Sequence, residues 1–533
     1  MVTPPALTAL LVLCAPMGVR TTAAHDRYAY PFLDPSMEPD ARIADLLPRV
    51  SLQQKINSLQ TTHQAGIPGG GIPSSPGYIV LPNYTIETYS CSECLHGYCS
   101  GSNMTVFAQS ITLAASFDRE LLQLVGSKIG EEARAVRNEF EAASQYPNKT
   151  ATPNGLACFS PQINIARDPR WGRAQETYGE CPFLTAALAY DYVKGMQGEH
   201  EKYVQVIASP KHFDAYGGAT TRGHRSPTEV SVSWRDWQET FLPQFHAAIA
   251  EAGALSTMCS YNTLCICDGY PCSCPGPSHG IPACADRELL TGVLRDTWRS
   301  KAYVVSDAGA IKFTQTDHEW AASQPEAAAD AIAAGADLAL GGGYDAAGNP
   351  ESFAALAEAV KLNLTNSSLV DRAFGRLVYA RIKLGLLDAP EASTDNPYTK
   401  IPPSAANSAA NRMLAVRTAR EGVVLLTNAK KTLPLEASAY QKGGSLAVIG
   451  PNSDLVAYGN YAGSNSNNTT PVQGLRRMVP GLVWTKGCDM ASNNTSGFAA
   501  AVLAAKQAKV TIAVFGIDGS QEHETGTRTI ITL

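Results

Sequence analysis

The segment AYVVSDAGAI (302–311) runs four residues of strand type, Ala302 to Val305, into Ser306 and an acid, Asp307, before a turn-prone Ala-Gly-Ala. Other short apolar runs end the same way. VIASP leads into Lys211-His212, and STMCS leads into Tyr261-Asn262. A single charge at a strand tip is ordinarily a cap or half of an ion pair. A carboxylate, an amine, an imidazole and a phenol at the tips of several parallel strands are different, because the tips of a closed parallel sheet face one site. Nearby cations favour the ionised form of a carboxylate. Asp307 beside Lys211, His212 and Tyr261 therefore has the make-up of a nucleophile rather than of a proton donor.

The stretch RDPRWGRAQETYGE (167–180) adds three arginines, an indole and three acids. Forked, charged hydrogen bonds beside an aromatic wall suit a polyhydroxyl ligand. Arg173 is expected to reach such a ligand, with Arg167, Asp168 and Arg170 bracing the loop. A retaining glycosidase needs two carboxyl groups about 5–5.5 Å apart, one attacking and one donating a proton. The donor must hold its proton more tightly than the nucleophile. SQEHE (520–524), directly after the apolar run VTIAVFG, supplies acids at another strand tip. The competing reading there is a solvated polar tail.

The elements that must position these residues alternate. Strands are expected at FSPQINIA (159–166), VQVIAS (204–209), ALSTMCS (254–260), AYVVS (302–306) and ADLAL (336–340). Helical stretches such as PFLTAALAYDYVKGMQ (182–197) and PEAAADAIAAG (325–335) separate them. Near-continuous apolar strands between helices mean a parallel sheet covered on both faces. The α/β pattern over residues 25–388 suits a (β/α)8 TIM-type barrel, with a doubly wound sheet as the alternative. The helix at 367–385 closes this region, with Ser367 or Ser368 as its expected cap and Gly385 as its stop. Residues 389–410, rich in Pro, Ser, Asn and Ala, read as a linker. From 411 to 533 a second α/β unit starts, with strands at SLAVIG (445–450) and KVTIAVFG (509–516) and a weaker one near 482. So few strands leave an open edge, and the unit is expected to be an incomplete, C-terminally truncated αβα sandwich.

The chain has 533 residues, 44% apolar, with a net charge of −6. No Lys/Arg block occurs, which argues against nucleic acid and anionic membrane as partners. Residues 1–24 read as a secretory signal peptide: a short apolar centre, then small residues, although the basic start is missing. Thirteen cysteines become twelve once Cys14 leaves with the signal. Sequons stand at Asn83, Asn103, Asn148, Asn363, Asn366, Asn467, Asn468, Asn493 and Asn494. Together these favour a secreted, extracellular glycoprotein with disulfides. CICDGYPCSC (265–274) has zinc-like spacing, but local disulfides are the reading a secreted chain favours. No metal or other cofactor is expected.

The motifs SECLHG (92–97), INIARDPRWGRAQETYGE (163–180), SPKHFDAYGG (209–218), CSYN (259–262), YVVSDAGAI (303–311), LLTNAKKTLPL (425–435), AVIGPNSD (447–454), GNYAG (459–463) and FGIDGSQEHE (515–524) follow one another in an order that resembles glycoside hydrolase family 3, in its fungal and plant β-xylosidase branch. The resemblance covers about residues 40 to 530. It implies a (β/α)8 barrel followed by an αβα sandwich with the site between them. It places the nucleophile at Asp307, sugar-binding residues at Arg173, Lys211, His212 and Tyr261, and the acid/base at Glu522, with Glu524 close behind. It places Glu93 where glucose carries its hydroxymethyl group, so that pentoses are accepted and hexoses rejected. Three features depart from the family pattern: Cys181 stands where Asp is frequent, the 265–274 cluster lengthens one loop, and Thr527-Arg528 replaces an Asp-Arg pair. The implied activity is a secreted, exo-acting, retaining β-D-xylosidase acting on xylo-oligosaccharides or other β-glycosides. The alternatives are a β-glucosidase or α-L-arabinofuranosidase of the same family, or a non-catalytic sugar-binding or truncated inactive homologue.

Overall fold

The computed structural model describes residues 28–61, 78–82, 84–87, 89–143, 155–218, 229–267, 274, 280–389, 392, 395–463, 465 and 468–528. The expected signal peptide with Cys14, the sequons at Asn83, Asn148 and Asn467, and Cys272 lie outside the described residues.

The N-terminal region is a TIM-type barrel. Its short parallel strands neighbour one another in chain order. Gln60–Thr61 pairs with Ala339–Leu340, and Leu338 bridges to Val305 in the strand Tyr303–Ser306. Tyr303–Ser306 pairs with Ser256–Cys259, which pairs with Lys211–Phe213. Lys211 bridges to Gln162, and Ala157–Cys158 lies between Ile207–Ala208 and Cys91–Ser92. The expected strand at 159–166 is thus displaced: the ladder occupies 157–158, and 159–166 continues irregularly as far as the bridge at Gln162.

Helices cover this ring where their apolar faces dictate. The helix Pro182–Gln197 spans the residues its pattern predicts and buries Thr185, Leu188, Ala189, Tyr192, Val193 and Met196. The long helix Arg119–Ala142 packs against it, started by Asp118, whose side chain accepts from Leu121 N. The closing helix, Ser367–Leu384, stops at Gly385 with φ 76°, where a left-handed residue ends the ladder. Its cap is Asn366 rather than Ser367 or Ser368: the Asn366 carboxamide accepts from Ser368 N and Leu369 N. The shorter serine side chains already lie inside the first turn.

The C-terminal region carries a three-stranded parallel sheet, with Leu446–Ile449 between Val483–Thr485 and Val510–Ala513. Helices Pro471–Met478 and Phe498–Gln507 make the crossovers. Its own core is small: Leu446, Val448, Val472, Val479 and Leu482. The helix Ala409–Glu421 precedes it and ends before Val423. This helix is tied to the barrel through Glu132, which is fully buried and accepts from Thr105 Oγ1, Thr105 N, Asn407 N and Asn411 Nδ2.

Disulfides join Cys94 to Cys158, Cys259 to Cys284 and Cys265 to Cys274. Cys267 is disulfide-bonded as well. Among the described residues Cys91, Cys99, Cys181 and Cys488 are thiols, so the even count does not translate into complete pairing. No helix among the described residues is long and apolar enough to cross a membrane.

Candidate active site

Tyr303, Val304, Val305 and Ser306 are all buried, and the chain turns at once into the helix Ala310–Thr316. Asp307 occupies the corner. Its N–H bonds Cys259 O at 3.0 Å, and its Oδ1 accepts from Ala308 N at 2.7 Å. The residue is 5% exposed, with Oδ2 lying 3.4 Å from His212 Nε2. His212, on the strand Lys211–Phe213, is fixed by Asn164: its N–H donates to Asn164 Oδ1, and Asn164 Nδ2 donates to His212 O, both at 2.8 Å.

Lys211 points its ammonium at Glu93, 2.8 Å from Oε2 and 3.0 Å from Oε1. Burial pushes the Glu93 carboxyl up to about 7, against the pull of Lys211 toward the ionised form. Arg173 is held by a forked pair with Glu176, Nη2 to Oε2 at 2.8 Å and Nε to Oε1 at 3.0 Å. Tyr261 donates its hydroxyl to Ala308 O at 3.1 Å, beside Asp307. In the same loop as Arg173, Arg170 pairs with Asp168, while Arg167 Nη2 donates to Ala215 O and Gly217 O.

The C-terminal region contributes two segments. The loop 521–528 lies on the barrel loop around Gly172. A Cβ at position 172 would sit 1.9 Å from Gly526 O and 2.3 Å from His523 O, so only glycine admits this approach. Arg528 N donates to Arg170 O at 3.0 Å, and Arg528 Nη2 donates to Pro169 O at 3.0 Å. Arg528 Nε also donates to Glu522 Oε1 at 2.7 Å, so Glu522 is bound up in the tie between loop and barrel. Glu524 faces the site instead: its Oε1 is 3.4 Å from Arg173 Nη1, and its Oε2 accepts from the Tyr461 hydroxyl at 2.5 Å.

The second segment brings Asn460 and Tyr461 into the barrel mouth. Asn460 Nδ2 donates to Glu176 Oε1 at 2.8 Å, and its N–H donates to Gln175 Oε1 at 3.0 Å. Tyr216 stands in the middle of the group. Its ring is 5.1 Å from His212 and 6.1 Å from Tyr261, and the Arg173 guanidinium lies 5.6 Å from its centroid. Burial pushes its phenol up to about 12; Arg173 lowers it, and Asp307 and Glu524 both raise it. One ring thus senses a carboxylate from each region.

The structure therefore brings Asp307, His212, Lys211, Glu93, Arg173 and Tyr261 together, and it turns Glu522 and Glu524 in different directions. Residue-type reasoning did not single out Glu176, Tyr216, Asn460 or Tyr461. Signals were present: Glu176 stands three positions after Arg173, Tyr216 precedes the two glycines that close SPKHFDAYGG, and Asn460-Tyr461 sits between glycines. A separate, mostly apolar cavity lined by Tyr89, Tyr303, Leu377 and Arg381 lies at the opposite end of the strand that carries Asp307. Two carboxylates from different regions, flanked by two fixed cations and several phenols, can attack and protonate opposite sides of one bond.

The chain is similar to known proteins over nearly its whole length. It is 34% identical over 524 residues to probable beta-D-xylosidase 7 of Arabidopsis thaliana, covering 95% of this chain and 62% of that protein. It is 34% identical to beta-xylosidase/alpha-L-arabinofuranosidase 1 of Medicago sativa subsp. varia, covering 95% of this chain and 60% of that protein. The chain thus spans about three-fifths of the length of the curated relatives it matches. A solved GH3 exo-beta-xylosidase in complex with a xylobiose aziridine activity-based probe superposes with a TM-score of 0.77 at 29% identity, covering 93% of this chain and 59% of that one. Residues 84–380 match the glycosyl hydrolase family 3 N-terminal domain and residues 423–533 match the family's C-terminal domain, so the chain belongs to glycosyl hydrolase family 3.

Proposed function

We propose that the protein is an exo-acting β-D-xylosidase that releases xylose with retention of configuration. The observation that carries this reading is the placement of Asp307 and Glu524, from two regions, around the Arg173–Tyr216 pair. Asp307, kept beside His212, attacks the anomeric carbon. Glu524 gives its proton to the departing glycosidic oxygen, and a glycosyl ester forms on Asp307. Water then attacks the same carbon, Glu524 takes up its proton, and the ester breaks to free the sugar and the carboxylate. We assign the acid/base role to Glu524 rather than Glu522 because Arg528 holds the Glu522 carboxylate in the loop tie. Lys211, His212, Arg173 and Tyr261 bind sugar hydroxyls. Glu93, braced by Lys211, fills the space a hexose would need for its sixth carbon. The names of the similar proteins support a pentoside substrate. A second reading, α-L-arabinofuranoside hydrolysis, is favoured by the dual name of the Medicago relative.

The test compares aryl β-xyloside and xylobiose. Asp307→Ala is expected to abolish turnover of both. Glu524→Gln is expected to lose xylobiose by about 10²–10⁴-fold and to retain more of the aryl substrate, whose leaving group needs no proton. Glu522→Gln should resemble the parent. Undiminished turnover by Asp307→Ala overturns the assignment.

We also propose that the chain is secreted, with residues 1–24 as its signal peptide, the barrel over 25–388, a linker over 389–410 and the sandwich from 411. The disulfides support an oxidising compartment. N-terminal sequencing of the protein recovered from the medium should begin near His25, and retention of Met1 refutes this.

A further inference from the structure

We propose that Tyr461 is the positioning residue of the acid/base, aiming the Glu524 carboxylate and setting the pH at which it surrenders its proton. The inference rests on the reading of Glu524 given above. Its basis is geometric. The Tyr461 hydroxyl donates to Glu524 Oε2 at 2.5 Å. The same ring lies 4.5 Å from Lys211 Nζ and 5.8 Å from the Arg173 guanidinium, so its electron-rich face meets both cations. One tyrosine therefore touches the acid and two of the groups assigned to sugar binding.

The backbone indicates that this placement is imposed. Tyr461 has φ 57°, a left-handed conformation that a bulky side chain rarely adopts. Such a conformation persists only where its surroundings over-determine it. Here the barrel does so. Gln109 Nε2 donates to Asn460 O at 3.1 Å, and His96 Nε2 lies 3.1 Å from the same oxygen. Gln175 and Glu176 take the Asn460 donors, and Cys99 Sγ donates to Tyr461 O at 3.1 Å. The tyrosine belongs to the C-terminal region, yet barrel side chains set its backbone.

The sign of the effect follows from which form the hydroxyl stabilises. A phenol donating to a carboxylate favours the ionised form and lowers its pKa. Glu524 also faces Arg173, Glu93 and Tyr216 from the barrel. On its own loop, Glu522 is occupied by Arg528, and His523 Nδ1 lies 3.0 Å from Thr525 Oγ1. Arg173 pulls in the same direction as Tyr461, and the Glu93 carboxylate opposes both. Removing only the hydroxyl leaves these neighbours and the cation contacts of the ring in place, and the Glu524 pKa rises.

The experiment is Tyr461→Phe in the full chain, with two readouts. The alkaline limb of kcat/KM on xylobiose should move up by about one pH unit, the value of one hydrogen bond to a charged group. The carboxyl resonance of Glu524, followed by ¹³C NMR in glutamate-labelled protein and assigned with Glu524→Gln, should titrate higher by a similar amount. This second readout needs no turnover. An unmoved Glu524 titration in folded Tyr461→Phe overturns the proposal, even if kcat falls. If instead Glu524→Gln keeps full activity on xylobiose, the acid/base assignment fails, while the titration still reports whether the hydroxyl controls this carboxylate.

Discussion

The barrel and the C-terminal region use the same ingredients with opposite results. In the barrel, strands of two to four residues suffice because the sheet curves round on itself, and apolar residues from Phe32 to Leu414 join one core. Among the described residues of the C-terminal region the sheet has three strands, and both flanking strands are edges. Five residues make its core. The helix Phe498–Gln507 is apolar almost all round, yet it buries only Ala504 and exposes Phe498, Val502 and Leu503. A helix of that composition is normally enclosed. Val423 to Leu426 form neither helix nor strand, and Leu426 is 90% exposed. The contrast teaches how the site is held. The barrel residues are positioned by a closed core. The C-terminal segments 459–461 and 522–528 are positioned by polar ties to the barrel, through Gln175, Glu176, Pro169, Arg170 and Gly172.

That contrast can be broken most severely at Gly172. Gly172→Ala should force the loop 523–526 off the barrel and withdraw Glu524. A shift of about 1 Å costs on the order of 100-fold in rate, so kcat/KM should fall by at least that much while the melting of the barrel is unchanged. Parent-like kinetics would mean that the loop is not fixed there. The difference between the two cores is sharpened by a matched pair. Leu294→Ala, at a fully buried barrel position, should cost about 2–5 kcal/mol in urea unfolding. Leu426→Ala should change stability by less than about 0.5 kcal/mol, because the side chain is already in solvent. A large loss at Leu426 would show that this run is covered in solution.

The elements were legible in proportion to their local signals. Pro182–Gln197 and Tyr303–Ser306 appear where periodicity and apolar runs place them. The strand expected at 159–166 was misplaced because its apolar pattern continues past the two residues that join the ladder. The stretch NRMLAVRTAREGVVLL (411–426) reads in sequence as one helix; the helix ends at Glu421, since only the first half of the stretch has the barrel to pack on. At the site, Lys211, His212, Tyr261 and Asp307 were visible because each follows an apolar run. Tyr461 and Asn460 were not, because they lie on an irregular segment whose only local signal is two glycines.

The alternation of strands and helices, the acid at the strand tip and the supply of a second acid at 522 or 524 are all written in the chain. Those follow from residue type and spacing, which act over a few positions. Which of the two glutamates turns toward Arg173 and Tyr216 depends on how the chain packs. Arg528, on the same loop, captures one, while Tyr461 and the barrel's Arg173, brought close only by folding, take the other; no local pattern encodes those distant contacts.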